Sequence, residues 1–192
     1  MSTGLKLGVN EMKCDTMKQK SKNKFVELPI STRDGKFIAH YSEKGLAGID
    51  WPNANRRRRG NESQISSVRD SSRRLLQIKN WHRATETALK KILAGKKAKL
   101  PPLDWNGKTE FQKSVWRQML KISAGKTKSY GEIASAIGNP KAVRAVGGAC
   151  GANPVPVLVP CHRVLAANKK LGGFSGGLDW KRSLLAREGI QF

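Results

Sequence analysis

Two adjacent residues near the end of the chain, Cys161 and His162, are of types that together perform nucleophilic chemistry. A cysteine thiolate is a strong nucleophile, and a histidine can take the proton of the thiol. Cys161 follows Pro160 and precedes His162 and Arg163, so positive charge flanks it and favours the thiolate. A cysteine is also commonly a small buried hydrophobe, and this motif alone leaves both alternatives open.

The spacing of the cysteines and histidines argues against a metal site. Cys161 and His162 are adjacent, and no C-x-x-C pair occurs anywhere in the chain. The first hundred residues hold only Cys14, His40 and His82, and three scattered ligands do not predict a tetrahedral zinc site. We therefore expect no metal and no other cofactor.

The segment that precedes Cys161 must hold the thiol in a fixed place. Pro154, Pro156 and Pro160 exclude a helix and resist pairing inside a sheet. We expect a rigid extended run over residues 153–160 that delivers Cys161 to the reactive centre.

Two short helices joined by a tight turn are predicted before this run. Ser129 and Glu132 have the spacing of a capping box, and Gly138 suits a helix end with positive φ. Asn139 and Pro140 then fit the N-cap and the first position of a second helix. The pattern predicts a helix-turn-helix, although an ordinary αα-hairpin has the same pattern. The basic composition favours the DNA-binding alternative.

The second of these helices carries one long basic side chain, Arg144, among very small ones. Ala142, Ala145 and Gly147 are its small neighbours, and Lys141 adds a further cation. Small residues let a backbone approach another molecule closely. We expect this face to enter a DNA groove, with Arg144 filling the gap left by an extruded base. Tight packing between helices is the alternative explanation.

The overall charge indicates a polyanionic partner. The 192 residues carry 37 Lys and Arg against 14 Asp and Glu, a formal net charge of +23. Such an excess attracts DNA, RNA or anionic lipid, although a solvated surface or a localisation tail has the same composition. No stretch has the length and apolarity of a membrane span, and no signal-peptide pattern begins the chain. Three cysteines do not form a disulfide framework, which favours a reducing compartment.

Composition divides the chain into three parts. Residues 1–24 are polar and Lys-rich and predict a disordered basic tail. Residues 25–100 predict an α/β domain that includes a basic loop over residues 52–74. A Pro-Pro pair marks the boundary near residue 100, and residues 101–192 predict a mainly helical domain that binds DNA and carries the reactive cysteine.

Hydrophobic periodicity predicts the elements of the two larger parts. Short apolar runs over residues 25–51, separated by Asp-Gly and Lys-Gly turns, predict two or three hairpin-linked strands. Apolar residues at helical spacing predict helices over residues 75–94 and 109–122. Thr109 and Gln112 have the spacing of a capping box at the start of the second of these helices. A small sheet with segregated helices is an α/β fold of the α+β type.

Residues 103–190 resemble the C-terminal domain of the O6-alkylguanine-DNA alkyltransferases, also called methylated-DNA–protein-cysteine methyltransferases. The order of the motifs carries the resemblance, because Pro-Cys-His-Arg-Val follows Arg-Ala-Val-Gly-Gly-Ala here. Residues 35–50 show a weaker similarity to the family's N-terminal sheet domain, which implies a ribonuclease H-like fold there. The matching segments are residues 109–112, 129–134, 138–149, 153–154, 160–164, 172–177 and 184–189.

The resemblance implies a role for each residue of the reactive centre. Cys161 would accept the alkyl group, His162 would deprotonate it through a water, and Glu188 would orient His162. Asn153 would brace the active-site turn. Tyr130 would help to rotate the target nucleotide and would donate a proton towards O6 of the departing guanine.

The resemblance also implies a DNA surface and a base pocket. Arg144 would occupy the stack that the extruded nucleotide leaves, from the minor groove. The residues that contact DNA would be Lys141, Ala142, Arg144, Ala145, Gly147 and Tyr130, and those that shape the guanine pocket would be Val164, Phe174 and Ser175. Phe174 stands where the family often has tyrosine, which keeps the aromatic ring and removes a hydroxyl.

These roles imply DNA repair by direct reversal, in which the alkyl group of O6-alkylguanine in double-stranded DNA moves irreversibly to Cys161. The product is a thioether that the site cannot hydrolyse, so we expect one turnover per molecule. We expect a monomer without membrane association, in the nucleus of a eukaryotic source or the cytoplasm of a prokaryotic one. The alternatives are a non-catalytic sensor of alkylated DNA, whose relatives lack the acceptor cysteine, and a cysteine hydrolase.

Overall fold

A computed structural model of the chain describes residues 25–52 and 72–192. This part of the chain has a mixed α/β fold, with one three-stranded antiparallel sheet followed by a mainly helical region. The predicted tail over residues 1–24 lies outside the described residues, as does most of the predicted basic loop. None of the described helices is long and apolar enough to cross a membrane.

The predicted hairpins form the sheet. Its strands lie in the order β1 (Val26–Thr32), β2 (Gly35–Tyr41) and β3 (Leu46–Asp50). Both connecting turns use a glycine with positive φ, 119° at Gly35 and 149° at Gly45. Alternate side chains of β2 face the core, because the side-chain period of a strand is two, and these are Phe37, Ala39 and Tyr41.

One long helix, α1 (Ser72–Leu93), packs against this sheet. It begins inside the segment predicted as a loop over residues 52–74, so the last three residues of that prediction are wrong. Its buried face includes Ile78, Ala88 and Leu89, as the helical periodicity predicted. Leu75, however, is 40% exposed and does not join the core.

Four shorter α-helices and a parallel strand pair make up most of the rest of the described chain. These elements are α2 (Glu110–Leu120), β4 (Lys128–Ser129), α3 (Tyr130–Ala136), α4 (Val143–Gly151), β5 (Val164–Leu165) and α5 (Leu178–Arg187). The strands β4 and β5 bring the start of α3 next to the residues that follow Cys161. Both predicted capping boxes are present, at the starts of α2 and α3.

The start of α4 differs from the prediction that Asn139 and Pro140 begin this helix. The helix begins at Val143, and residues 139–142 form a turn closed by a 3.0 Å hydrogen bond from the Ala142 N–H to the Asn139 carbonyl. Proline is favoured at the second position of such a turn because its φ is fixed near −65°. An Asn-Pro pair suits a turn as well as a helix start, so the local sequence did not distinguish them.

The segment before Cys161 is folded back on itself and is not the extended run that the prolines predicted. The Val159 N–H donates to the Val155 carbonyl at 2.9 Å, and Val157 has a φ of 69°. The Asn153 side chain holds both ends of the turn: its Oδ1 accepts from the Val155 N–H at 3.1 Å and its Nδ2 donates to the Val159 carbonyl at 2.8 Å. Prolines exclude helices and central strands but are compatible with turns.

The edge of β3 that does not pair with β2 forms hydrogen bonds to the C-terminal half of the chain. The Leu46 N–H donates to the Pro102 carbonyl, and the Ile49 N–H donates to the Pro154 carbonyl, each at 2.8 Å. Arg187 at the end of α5 forms a bidentate ion pair with Asp34 in the first hairpin turn, at 2.7 and 2.9 Å. The sheet is therefore fixed directly to the backbone beside Asn153.

Candidate active site

Cys161 lies at a cavity of about 610 Å³ formed by α3, α4 and the loop that precedes α5. The thiol is largely buried, with Cys161 4% exposed. Six of the predicted site residues meet here, from four separate segments of the chain. The lining residues are Tyr130, Val143, Arg144, Gly147, Cys150, Gly151, Cys161, Gly173, Phe174 and Ser175.

Burial raises the pKa of the Cys161 thiol, so the flanking positive charge predicted to favour the thiolate does not dominate. The Asn153 Nδ2, 3.3 Å from Sγ, and the charge of Lys181 act in the opposite direction and favour the thiolate. Arg163, which the sequence placed near the thiol, pairs with Glu188 instead. Cys161 is therefore a thiol at rest, and it would need a base in order to act as a nucleophile.

His162 has the neutral ring and the hydrogen bond that a general base needs. Its Nε2 lies 3.1 Å from Glu188 Oε1, and burial lowers the pKa of its ring, so the imidazole is neutral. Because an ionised carboxylate can only accept, Nε2 carries the hydrogen. The buried Nδ1 then holds the lone pair, and it makes no hydrogen bond to any residue that the structure describes.

Glu188 joins His162 to a wider polar network. Arg163 donates to its carboxylate through Nε at 2.9 Å and Nη2 at 2.7 Å, and the same guanidinium donates to the Ile122 carbonyl at 2.6 Å. Burial opposes ionisation of Glu188, but the hydrogen bonds from His162 and Arg163 outweigh it and hold the pKa at about 2. Glu188 is thus a fixed negative charge that is hydrogen-bonded to His162.

Tyr130 begins α3 and presents its phenol to the cavity. Burial raises its pKa, so the hydroxyl keeps its proton and can donate a hydrogen bond. Gly172 approaches it closely: a Cβ added there would lie 3.1 Å from Tyr130 Oη. A side chain at Gly172 would crowd the phenol and would also strain the backbone, because Gly172 has a φ of 66°.

Lys181 is a site residue that sequence reasoning missed. It is fully buried, and its Nζ donates to the carbonyl of Leu171 and, at 2.7 Å, to that of Val164. Burial lowers its pKa to about 8, and its charge favours the Cys161 thiolate. Its spacing in the sequence could have predicted this burial. Lys181 lies three and four residues before the buried Leu184 and Leu185, on the apolar stripe of α5.

Some predicted site residues lie outside the cavity lining. Val164 is fully buried and its backbone carbonyl accepts from Lys181, and its part in the guanine pocket stays a prediction. Lys141 and Ala142, in the turn before α4, and Ala145 in its first turn are also outside the lining.

The small residues on the outer face of α4 do not serve packing within the described chain. A Cβ added to Gly147 or Gly148 would meet no other atom within 4 Å. Arg144 and Ala145 are exposed, while Val146 and Ala149 face the core. The outer face of α4 is therefore open, which removes tight helix packing as the reason for its small side chains.

Within residues 25–52 and 72–192, no group of three or more His, Cys, Asp or Glu is arranged to hold a metal ion. His40 lies between the carboxylates of Glu27 and Asp50, at 3.3 and 2.9 Å. His82 Nδ1 lies 3.2 Å from the Tyr41 hydroxyl. Cys14 is outside the described residues.

Comparison with known proteins places residues 110–190 in one family, described as 6-O-methylguanine DNA methyltransferase, DNA binding domain. The methylated-DNA–protein-cysteine methyltransferase of Methanosarcina acetivorans is 59% identical over 81 residues, 42% of this chain and 52% of that protein. The one of Haemophilus influenzae is 50% identical over 84 residues, 44% of this chain and 47% of that protein. The match thus spans about half the length of these curated relatives.

Solved structures extend the similarity over most of the chain. The O6-methylguanine methyltransferase of Mycobacterium tuberculosis is 32% identical, with a TM-score of 0.62, and the match covers 85% of this chain and 92% of that one. The Mycobacterium tuberculosis OGT in complex with DNA is 33% identical, with a TM-score of 0.65 and the same coverage. Since the match has at least 32% identity and covers 92% of each of these solved chains, the chain belongs to the O6-methylguanine-DNA methyltransferase family.

Proposed function

We propose that this protein repairs alkylated DNA by transferring an alkyl group from O6 of guanine to Cys161. The observation that carries the proposal is the position of the Cys161 thiol, buried at a cavity shared by the Tyr130 phenol and the Phe174 ring. Its relatives are named for the same reaction, and a neighbour was solved with DNA. A base that enters this cavity would meet the sulfur, a hydrogen-bond donor and an aromatic wall.

The first step is proton transfer from Cys161 Sγ to His162 Nδ1, through a bridging water. Nδ1 is the nitrogen left free to accept, because Nε2 donates to Glu188. The imidazolium that forms is stabilised by the Glu188 charge, in the arrangement of nucleophile, base and orienting acid. The nearby Lys181 and Asn153 then stabilise the thiolate.

The second step is displacement at the alkyl carbon. The thiolate forms the new S–C bond while the C–O6 bond breaks, and the electron pair of that bond goes to the guanine. Guanine is a poor anionic leaving group, so a hydrogen bond and proton from Tyr130 towards O6 assist departure, and the proton that His162 took from Cys161 restores the neutral phenol. The phenol is suited to this because burial keeps it protonated.

The target nucleotide must leave the duplex to reach a buried sulfur. We assign α3, the 139–142 turn and α4 as a helix-turn-helix that contacts DNA from the minor groove through the open face of α4. Arg144 both lines the cavity and is exposed, so it is placed to fill the stack while the base occupies the cavity. Lys141, Ala142, Ala145 and Gly147 make up the rest of this contact.

The test uses a duplex that carries a labelled methyl group on O6 of one guanine. We expect label to accumulate on Cys161 and to reach a plateau at one methyl per protein, because a thioether cannot be released by this site. The matched control is Cys150→Ser, which removes a second cysteine of the same cavity and leaves the acceptor in place. Label in solution, or repaired duplex beyond one per protein, would refute the proposal.

The second candidate function is a sensor that binds alkylated guanine without reaction. The favouring observation is the raised pKa of Cys161, which makes the resting thiol a poor nucleophile. The presence of Cys161 argues against it, because the family relatives of the sensor type lack the acceptor cysteine. Bound duplex with its methyl retained, and no label on protein, would identify the sensor.

A further inference from the structure

A residue next to the N-terminal sheet, Trp51, packs against the wall of the cavity. Trp51 follows β3 directly, two residues after Ile49, whose N–H donates to the Pro154 carbonyl at 2.8 Å. Pro154 in turn follows Asn153, which contacts Cys161 Sγ at 3.3 Å. The backbone that carries Trp51 is therefore fixed relative to the reactive sulfur.

The Trp51 indole is the centre of a cluster of four aromatic rings. Its centroid lies 4.9 Å from that of Trp180, 5.7 Å from that of Phe174 and 6.0 Å from that of Phe37. Phe37 and Trp180 also contact each other, at 5.9 Å. The interplanar angles are tilted or near perpendicular, which the charge distribution of aromatic rings favours. The fully buried Phe37 anchors this cluster in the core.

Phe174 is the member of this cluster that lines the cavity. Trp51 contacts it in an edge arrangement, at an interplanar angle of 69°. The Lys181 Nζ lies 5.9 Å from the centroid of the same ring. The loop that carries Phe174 also touches the indole: a Cβ added to Gly176 would lie 2.7 Å from Trp51 Cε2. Trp51 thus limits how far Phe174 and its loop can move away from the sulfur.

We propose that Trp51 determines which alkyl groups Cys161 accepts, by fixing the position of the Phe174 ring. The proposal rests on the proposed function, because it concerns the width of the same cavity. Trp51 itself is one layer behind the lining and touches no substrate. Without the indole, Phe174 can recede, and a wide alkyl group gains room beside the sulfur relative to methyl.

The test compares the transfer rates of Trp51→Ala with O6-methylguanine and O6-benzylguanine placed at the same position of one duplex. The benzyl-to-methyl rate ratio is expected to rise about tenfold, the scale of one altered pocket contact. Trp81→Ala removes an indole from α1, outside the cavity lining, and should leave the ratio unchanged. If Trp51→Ala does not fold, Trp51→Phe should raise the ratio in the same direction and to a smaller extent.

A second measurement tests the contact between the indole and the loop. Gly176→Ala should slow transfer when it is the only substitution. The loss in transfer rate should be smaller in a Trp51→Ala background, because the indole no longer crowds the added methyl group. An equal loss in both backgrounds, or an unchanged benzyl-to-methyl ratio in a folded Trp51 variant, overturns the role of Trp51. Absence of any transfer to Cys161 in the unmodified protein overturns the proposed function itself, so the two failures are distinguishable.

Discussion

The reactive centre and the outer face of α4 are built in opposite ways, although both border the same cavity. Cys161, His162 and Glu188 are buried or nearly so, and the two titratable partners of the thiol have fixed hydrogen bonds. Arg144 and Ala145 are exposed, and within the described residues Arg144 makes no hydrogen bond or ion pair. Chemistry requires fixed protonation states, which burial supplies, whereas contact with a polyanion requires accessible charge and close backbone approach.

Cys161→Ala should separate the function of the reactive centre from that of the α4 face most clearly. We expect it to abolish alkyl transfer and to leave the affinity for duplex DNA largely unchanged, because in the proposed mechanism the thiol makes the new bond and the α4 face supplies binding. Labelled-methyl transfer and a DNA titration measure the two effects on one preparation. Transfer that persists with label on Cys150 or Cys14 would show that the acceptor has been assigned wrongly.

Glu188→Gln should reduce transfer by on the order of 10²-fold or more, as loss of an orienting carboxylate does elsewhere. An amide can donate to His162 Nε2 and so favours the tautomer whose Nδ1 cannot accept the thiol proton. The variant also leaves the Arg163 charge in a buried setting, at a cost of about 3 kcal/mol in the free energy of unfolding. Glu110→Gln, which breaks the exposed pair with Lys113, is the matched control and should change neither quantity measurably.

Glu188 also makes the free energy of unfolding depend on pH in the acid range. Its pKa is about 2 in the folded protein and 4.5 ordinarily, so the unfolded chain binds the proton first as the pH falls. The stabilisation from Glu188 is complete above about pH 4.5 and is lost towards pH 2. Denaturant unfolding across this window should show a smaller acid loss in Glu188→Gln. If the free energy of unfolding falls equally with pH in both proteins, Glu188 is not the carboxyl whose lowered pKa stabilises the fold.

Arg144→Ala tests whether the exposed face does more than bind. Base extrusion costs a few kcal/mol, so loss of the residue that we propose to fill the stack should slow transfer from duplex DNA by roughly tenfold or more. Transfer from the free base O6-benzylguanine needs no extrusion and should change little. The deciding quantity is the ratio of the two rates, with Arg144→Lys as the charge-matched control. Equal losses for both substrates would make Arg144 a structural residue.

Lys141→Ala should have the smallest effect. Each phosphate neutralised by a basic residue contributes about −0.9 to the slope of log affinity against log salt. Removal of Lys141 should flatten that slope by about one such contact and leave transfer from the free base unaltered. Binding titrations at several salt concentrations measure it. An unchanged slope would place Lys141 outside the DNA contact and narrow the surface to the residues around Arg144.

Much of the local structure was determined by the sequence itself. The two capping boxes, the glycine turns of the hairpins and the buried stripe of α1 depend on residues a few positions apart, and all were predicted. The Cys161-His162 pair and the small face around Arg144 were likewise visible, because they lie within short contiguous segments. Resemblance to a known family supplied Glu188, which spacing alone did not connect to His162.

Only the tertiary structure decided the environment of these residues. The pKa of Cys161, the burial of Lys181 and the contact of Trp51 with Phe174 depend on which segments surround them, and those segments are far apart in the chain. The two incorrect predictions before Cys161 have the same origin: Asn-Pro and Pro-rich segments are compatible with several local conformations. Asn153 and the packing of α4 select one of them, because side-chain hydrogen bonds and burial are settled only when distant parts of the chain meet.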